Sequence, residues 1–111
     1  MKIIYNKYLP TKGFKAINLF GVIFVRSDAG VLTRIDANHE AIHTVQAREL
    51  LFIFFYIWYL TEWLVRLAQY RNTLTAYFNI SFEREAYANE KNLDYIKNRT
   101  FFSFRKYLKK K

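Results

Sequence analysis

The chain has 111 residues, a formal net charge of +9 and no cysteine. That length points to one domain, and the missing thiols exclude disulfides and thiolate metal sites, so any metal must take His, Asp, Glu or water. Hydrophobic residues make up 52% and aromatic residues 20% of the chain, which excludes disorder over most of its length.

Residues 1–9 alternate Lys2 and Lys7 with apolar residues. No apolar run long enough for a secretory signal follows, so a cytoplasmic or membrane-associated chain without a signal peptide is expected. Pro10-Thr11-Lys12-Gly13 reads as a turn. Residues 17–25 (INLFGVIFV) are rich in β-formers and contain Gly21. Ser27-Asp28-Ala29-Gly30 is a turn signal, and residues 31–35 alternate apolar with polar, so the two runs together predict a β-hairpin. Asp36 and Asn38 are both good helix caps. From there to Gln69 neither Gly nor Pro interrupts, which predicts one very long helix or two helices with a bend. Residues 71–75 (RNTLT) should contain a break. A further helix is expected over 81–99, capped by Ser81, with Phe82, Ala86, Asn89, Leu93 and Ile96 on one face. Residues 101–108 form a short amphipathic segment, and 109–111 a frayed tail. The fold class is therefore α+β, a small N-terminal hairpin packed on three main helices.

Residues 39–43 read His-Glu-Ala-Ile-His and hold both histidines of the chain. On a helix, positions four apart lie one above the other, so His39 and His43 can reach one metal ion. Glu40 sits about 100° round the helix from His39. It can approach a metal-activated water as general base without entering the coordination shell. This is the HExxH arrangement of zinc peptidases, with Zn²⁺ as the expected cofactor and a peptide or protein as the substrate. Catalytic zinc commonly takes three protein ligands plus water. With no third histidine, the third ligand must be Asp or Glu, and the run 82–89 (FEREAYAN) is the strongest candidate region.

HEAIH followed by a downstream E-R-E-A resembles the compact gluzincins, or minigluzincins, the ImmA/IrrE-like peptidases and the prenyl-protease-like membrane peptidases. More narrowly, KAINLFGVIFVR, NHEAIHTVQARE, YLTEWLVRL and NISFEREAYANE together resemble a group of short HExxH proteins common in Bacteroidetes-type bacteria. The resemblance covers about residues 10–108. It implies a zincin-like minimal domain, peptide-bond hydrolysis, a glutamate ligand from a second helix, and an extended substrate added to the hairpin edge strand 31–35. A Glu with Ala three residues on points to Glu83 as ligand. A Glu followed directly by Ala, with Asn four on, points to Glu85 as the alternative. Where those families place Asp or Asn four residues after the ligand Glu, this chain has Tyr87, at a position that normally orients a metal-binding histidine. Tyr77, Tyr87 and Tyr95 are candidates for stabilising an oxyanion.

Residues 50–60 (LLFIFFYIWYL) are all apolar or aromatic. Extended to residue 65 the run includes Glu62 and falls short of the ~20 residues of a spanning helix. If it crossed a bilayer, the histidines and Glu83 would start on opposite sides, and the return would carry Arg66, Gln69, Arg71 and Asn72 through lipid. The run is therefore expected not to cross. It is either the core of the domain or a helix touching a membrane. The basic, aromatic C-terminal end suits an anionic membrane surface. A metal-bearing but non-catalytic surface or interaction protein is the alternative reading. A nucleic-acid-binding module is the weaker one, because a solvated basic face explains the same charges.

Overall fold

A computed structural model describes residues 2–10 and 14–109. The fold is α+β. Three strands, β1 (Lys2–Asn6), β2 (Ala16–Leu19) and β3 (Val22–Arg26), form a sheet in the order β1-β3-β2. Five helices follow: α1 (Arg34–Glu49), α2 (Ile53–Tyr70), α3 (Thr73–Phe78), α4 (Ser81–Asn89) and α5 (Tyr95–Asn98), then a 3-10 turn over Ser103–Tyr107. The expected turn at 10–13 and the tail end fall partly on residues 11–13, 110 and 111, which lie outside the described residues.

The hairpin forms earlier than expected. β2 and β3 pair antiparallel inside the run read as one strand, with Leu19 opposite Val22. Phe20 (φ 54°) and Gly21 (φ 84°) are both left-handed, as a tight two-residue hairpin turn requires. Asn18 stabilises the turn by accepting from the Gly21 N–H at 3.0 Å. β1 then adds in parallel to the other side of β3. In β3, Ile23 and Val25 are fully buried, the alternation of a sheet with one covered face.

Residues 31–33 form no strand, and α1 begins at Arg34 rather than after Asp36 or Asn38. The reason is a capping box. The Thr33 side chain accepts from the Asp36 N–H, and the Asp36 carboxylate accepts from the Thr33 N–H. Together they satisfy two of the orphan donors at a helix start.

The uninterrupted run from 36 to 69 is two helices, bent by 111°. Leu51 (φ 56°) and Phe52 (φ 61°) make the corner. Left-handed backbone at such residues costs about 1–2 kcal/mol each, and packing offsets it. Leu50 and Phe52 fold back against the cluster of Ala47, Phe55, Ile80, Phe82 and Phe104, where the Phe82 ring lies 4.6 Å from both Phe55 and Phe104.

The helix expected over 81–99 stops at Asn89. Asn38 of α1 donates to the carbonyls of Glu90 at 2.7 Å and Asn92 at 3.0 Å, so a side chain from another element holds the turn that follows the helix. Leu93, expected on the buried face, is half exposed. Ser81 is the first residue of α4, not its cap. Its N–H and hydroxyl both donate to Glu62 of α2, at 2.5 and 2.6 Å. No single helix among the described residues is long and apolar enough to cross a membrane.

Candidate metal centre

α1 presents its HExxH face to α4, and His39, Glu40 and His43 are all buried there. Glu83, in the first turn of α4, is buried opposite them. Its Oε1 lies 3.1 Å from His39 Nε2 and 3.0 Å from His43 Nε2, and the two Nε2 atoms are 3.1 Å apart. The three donors thus mark a nearly equilateral triangle. Tyr59 of α2 donates to the other Glu83 oxygen at 2.7 Å and orients the carboxylate.

The far side of each ring decides what the triangle can hold. His39 Nδ1 is 2.9 Å from a Glu90 oxygen, and His43 Nδ1 is 2.8 Å from Gln46 Oε1. Gln46 is held in that orientation because its Nε2 donates to the Phe82 carbonyl and to Glu85. Both partners accept, so both histidines carry a proton on Nδ1. In the neutral rings each Nε2 is then a bare lone pair, aimed with a carboxylate oxygen at one point. That donor set fits a cation. Tetrahedral donors at about 2.0–2.2 Å from a zinc would stand about 3.3–3.6 Å apart, a few tenths of an ångström wider than this triangle. The outward hydrogen bonds to carboxylate and amide are the kind that orient metal-ligating histidines.

Without a metal, a proton fills the gap. Burial alone would lower the His43 pKa, but the Glu83 carboxylate, with Glu40 and Gln46, pushes it up to about 9. Burial would raise Glu83, yet His43 and His39 together hold it well below the usual carboxylate range. Both shifts describe one ion pair across the triangle. Burial pushes Glu40 up, His43 and His39 pull it partly back, and Glu83 and Asp36 raise it again. Glu40, His39 and His43 each bring a ligand atom within 4.8 Å of the others, so Glu40 stands beside the triangle.

Glu40, His43 and Glu83 open onto a hollow of about 410 Å³ walled by Phe14, Phe55, Tyr56, Tyr59 and Tyr77. Strand β2 forms its rim. Asn18 ties this strand to α1 by donating to the Glu40 carbonyl at 2.8 Å and to the Thr44 hydroxyl at 2.6 Å. β2 is an edge strand of the sheet, so the free edge beside the site is 16–19 and not 31–35.

No protein-family model, curated protein or solved structure matches the chain.

The remaining sequence candidates separate clearly. Glu85 does not approach the histidines. It is fully buried, accepting from Arg99 at 2.6 Å and from Tyr95 at 2.6 Å, while Arg99 also grips Glu49 at 2.8 and 3.0 Å. Tyr95 belongs to that cluster. The Tyr77 hydroxyl lies 2.9 Å from that of Tyr87, and the Tyr87 ring packs against His39 at 4.4 Å. Tyr87 therefore contacts His39 by an edge-type ring contact, and Glu90, three residues on, holds the Nδ1 proton. Gln46 and Glu90 were legible as helical neighbours, three after His43 and seven after Glu83. Tyr59 and Asn18 had no sequence signal, because they come from other elements.

Proposed function

We propose that the protein is a zinc metallopeptidase that binds Zn²⁺ through His39, His43 and Glu83 and uses Glu40 as general base. The observation that carries this reading is the convergence of three lone-pair donors, each held from behind by a hydrogen bond: the two histidines donate from Nδ1 and Glu83 accepts from Tyr59. Bound there, zinc would supply Lewis acidity toward water and the scissile carbonyl. Glu40, buried and pushed up in pKa, takes a proton from water and returns it to the leaving amine. An extended peptide adds to the free edge of β2, which aligns its backbone over Glu40 and His43. The apolar hollow accepts a large hydrophobic side chain beside the cleaved bond. Tyr77, on the hollow wall with its hydroxyl paired to Tyr87, is the donor best placed to meet a carbonyl oxygen.

The test is metal analysis of the purified protein with a peptide-library assay. Equimolar zinc, and cleavage abolished by chelator and by Glu40→Gln, is the expected result. Zinc without cleavage of any peptide would leave a structural metal site and remove the enzyme.

A further inference from the structure

α2 has two unlike sides. Phe55, Glu62 and Arg66 are buried along one line, while Tyr56 and Tyr59 reach the hollow. On the other side, Ile53, Phe54, Ile57, Leu60, Leu64 and Val65 are each 49–64% exposed. With Thr61 and Ala68 they fill an arc of about 140° over four turns, about 22 Å long, and no charged residue falls within it. Soluble surfaces rarely leave so large a contiguous apolar patch uncovered.

Charge identifies what covers it. The carboxylates nearest this side are turned inward, Glu62 onto Ser81 and Glu49 onto Arg99. Exposed cations flank this side. Arg48 is exposed just before the corner and Arg71 just after the helix end. The C-terminal segment runs alongside, for Leu108 joins Phe54, Ile57 and Val65 around a hollow of about 520 Å³. Its Arg105, Lys106 and Lys109 are exposed. The carboxylates at the opposite end of α1 are themselves paired, half-buried Asp36 with Lys15 and exposed Asp94 with Lys97. An uncharged apolar stripe rimmed by cations matches a lipid interface bearing negative headgroups. Two copies, each with a net charge of +9, would repel across the same face.

We propose that α2 lies in the plane of an anionic phospholipid surface, its 53–68 stripe among the acyl chains and Arg48, Arg71, Arg105, Lys106 and Lys109 among the headgroups. The helix lies on the bilayer and does not span it, because its inner line is committed to Glu83 and to the start of α4. Tyr59 and Glu62 make those contacts.

Flotation of the full chain with phosphatidylglycerol vesicles, against phosphatidylcholine vesicles, tests this without any peptidase activity. Wild type should float with phosphatidylglycerol at least ~10-fold more tightly than with phosphatidylcholine, with Trp58 emission shifting to the blue. Leu60→Asp with Leu64→Asp, both exposed and so compatible with an intact core by circular dichroism, should weaken flotation by more than ~10-fold. Arg105→Gln with Lys106→Gln should cost ~30-fold on phosphatidylglycerol and nothing on phosphatidylcholine. Absence of flotation, equal affinity for both lipids, or indifference to the Leu60 and Leu64 changes would overturn the proposal. So would a vesicle-free dimer that those two changes dissociate, which would assign the face to a second copy.

Discussion

Glu83 and Glu85 stand two residues apart on α4, both buried, yet their surroundings are opposite. Glu85 meets Arg99, a permanent cation that also pairs with Glu49, and Tyr95 and Gln46 complete its hydrogen bonds. Arg99 and the neutral donors of Tyr95, Gln46 and the Phe102 N–H fill the acceptor sites of both carboxylates, so the cluster joins α1, α4 and the C-terminal segment as structure. Glu83 meets two imidazoles, groups that are cations only when protonated and ligands when they are not. One carboxylate faces a fixed cation and the other faces groups whose charge can change. Burial alone does not mark a functional group; the kind of counter-charge does.

The largest effect should come from Glu40→Gln, with hydrolysis falling ~10²–10⁴-fold while the metal content of the purified variant stays equimolar. Loss of metal would move Glu40 into the ligand set and break the assignment of the triangle. Next comes the structural side. Arg99→Met leaves two buried carboxylates without their cation and should cost about 3–5 kcal/mol in denaturant titrations. At temperatures where this variant remains folded it should retain metal, whereas Glu83→Gln should lose it. If both variants lose metal alike while folded, the two clusters act as one and the contrast fails. Smaller still, Glu90→Gln removes the carboxylate behind His39 and should weaken metal affinity ~10–100-fold, read by competition with a chromophoric chelator.

The last test is a pH dependence. In the metal-free protein the His43 pKa is raised from 6.5 to about 9. Its contribution to stability is thus complete below 6.5 and lost as pH rises through about 9. Glu83 is shifted down from 4.5, so its share is present above that value and lost as pH falls below it. The melting temperature with chelator should peak between these limits and decline toward pH 9. With zinc in excess the alkaline decline should vanish or reverse, since the metal displaces the His43 proton. A flat metal-free profile from pH 6.5 to 9 would refute the ion pair.

The α+β class, a helix carrying His39, Glu40 and His43 on one face, and a break after the long apolar run were all legible in the sequence. Each rests on local periodicity or a short motif, and local geometry suffices for those. The capping box Thr33-x-x-Asp36 was also written locally, although the alternation of 31–35 obscured it. Tertiary structure alone decided the rest. Helical spacing cannot choose between Glu83 and Glu85, because both flank the same apolar face; Arg99, fourteen residues beyond Glu85, claims one and leaves the other to the histidines. Asn38 anchors the turn after α4 from a different helix, and Tyr59 and Glu62 fix the position and start of α4 from α2. The left-handed corner at Leu51 and Phe52 turns α2 so that one side builds the site and the other faces outward. These outcomes depend on which groups meet across long sequence separations, and there burial and charge compensation outweigh the preferences of any single segment.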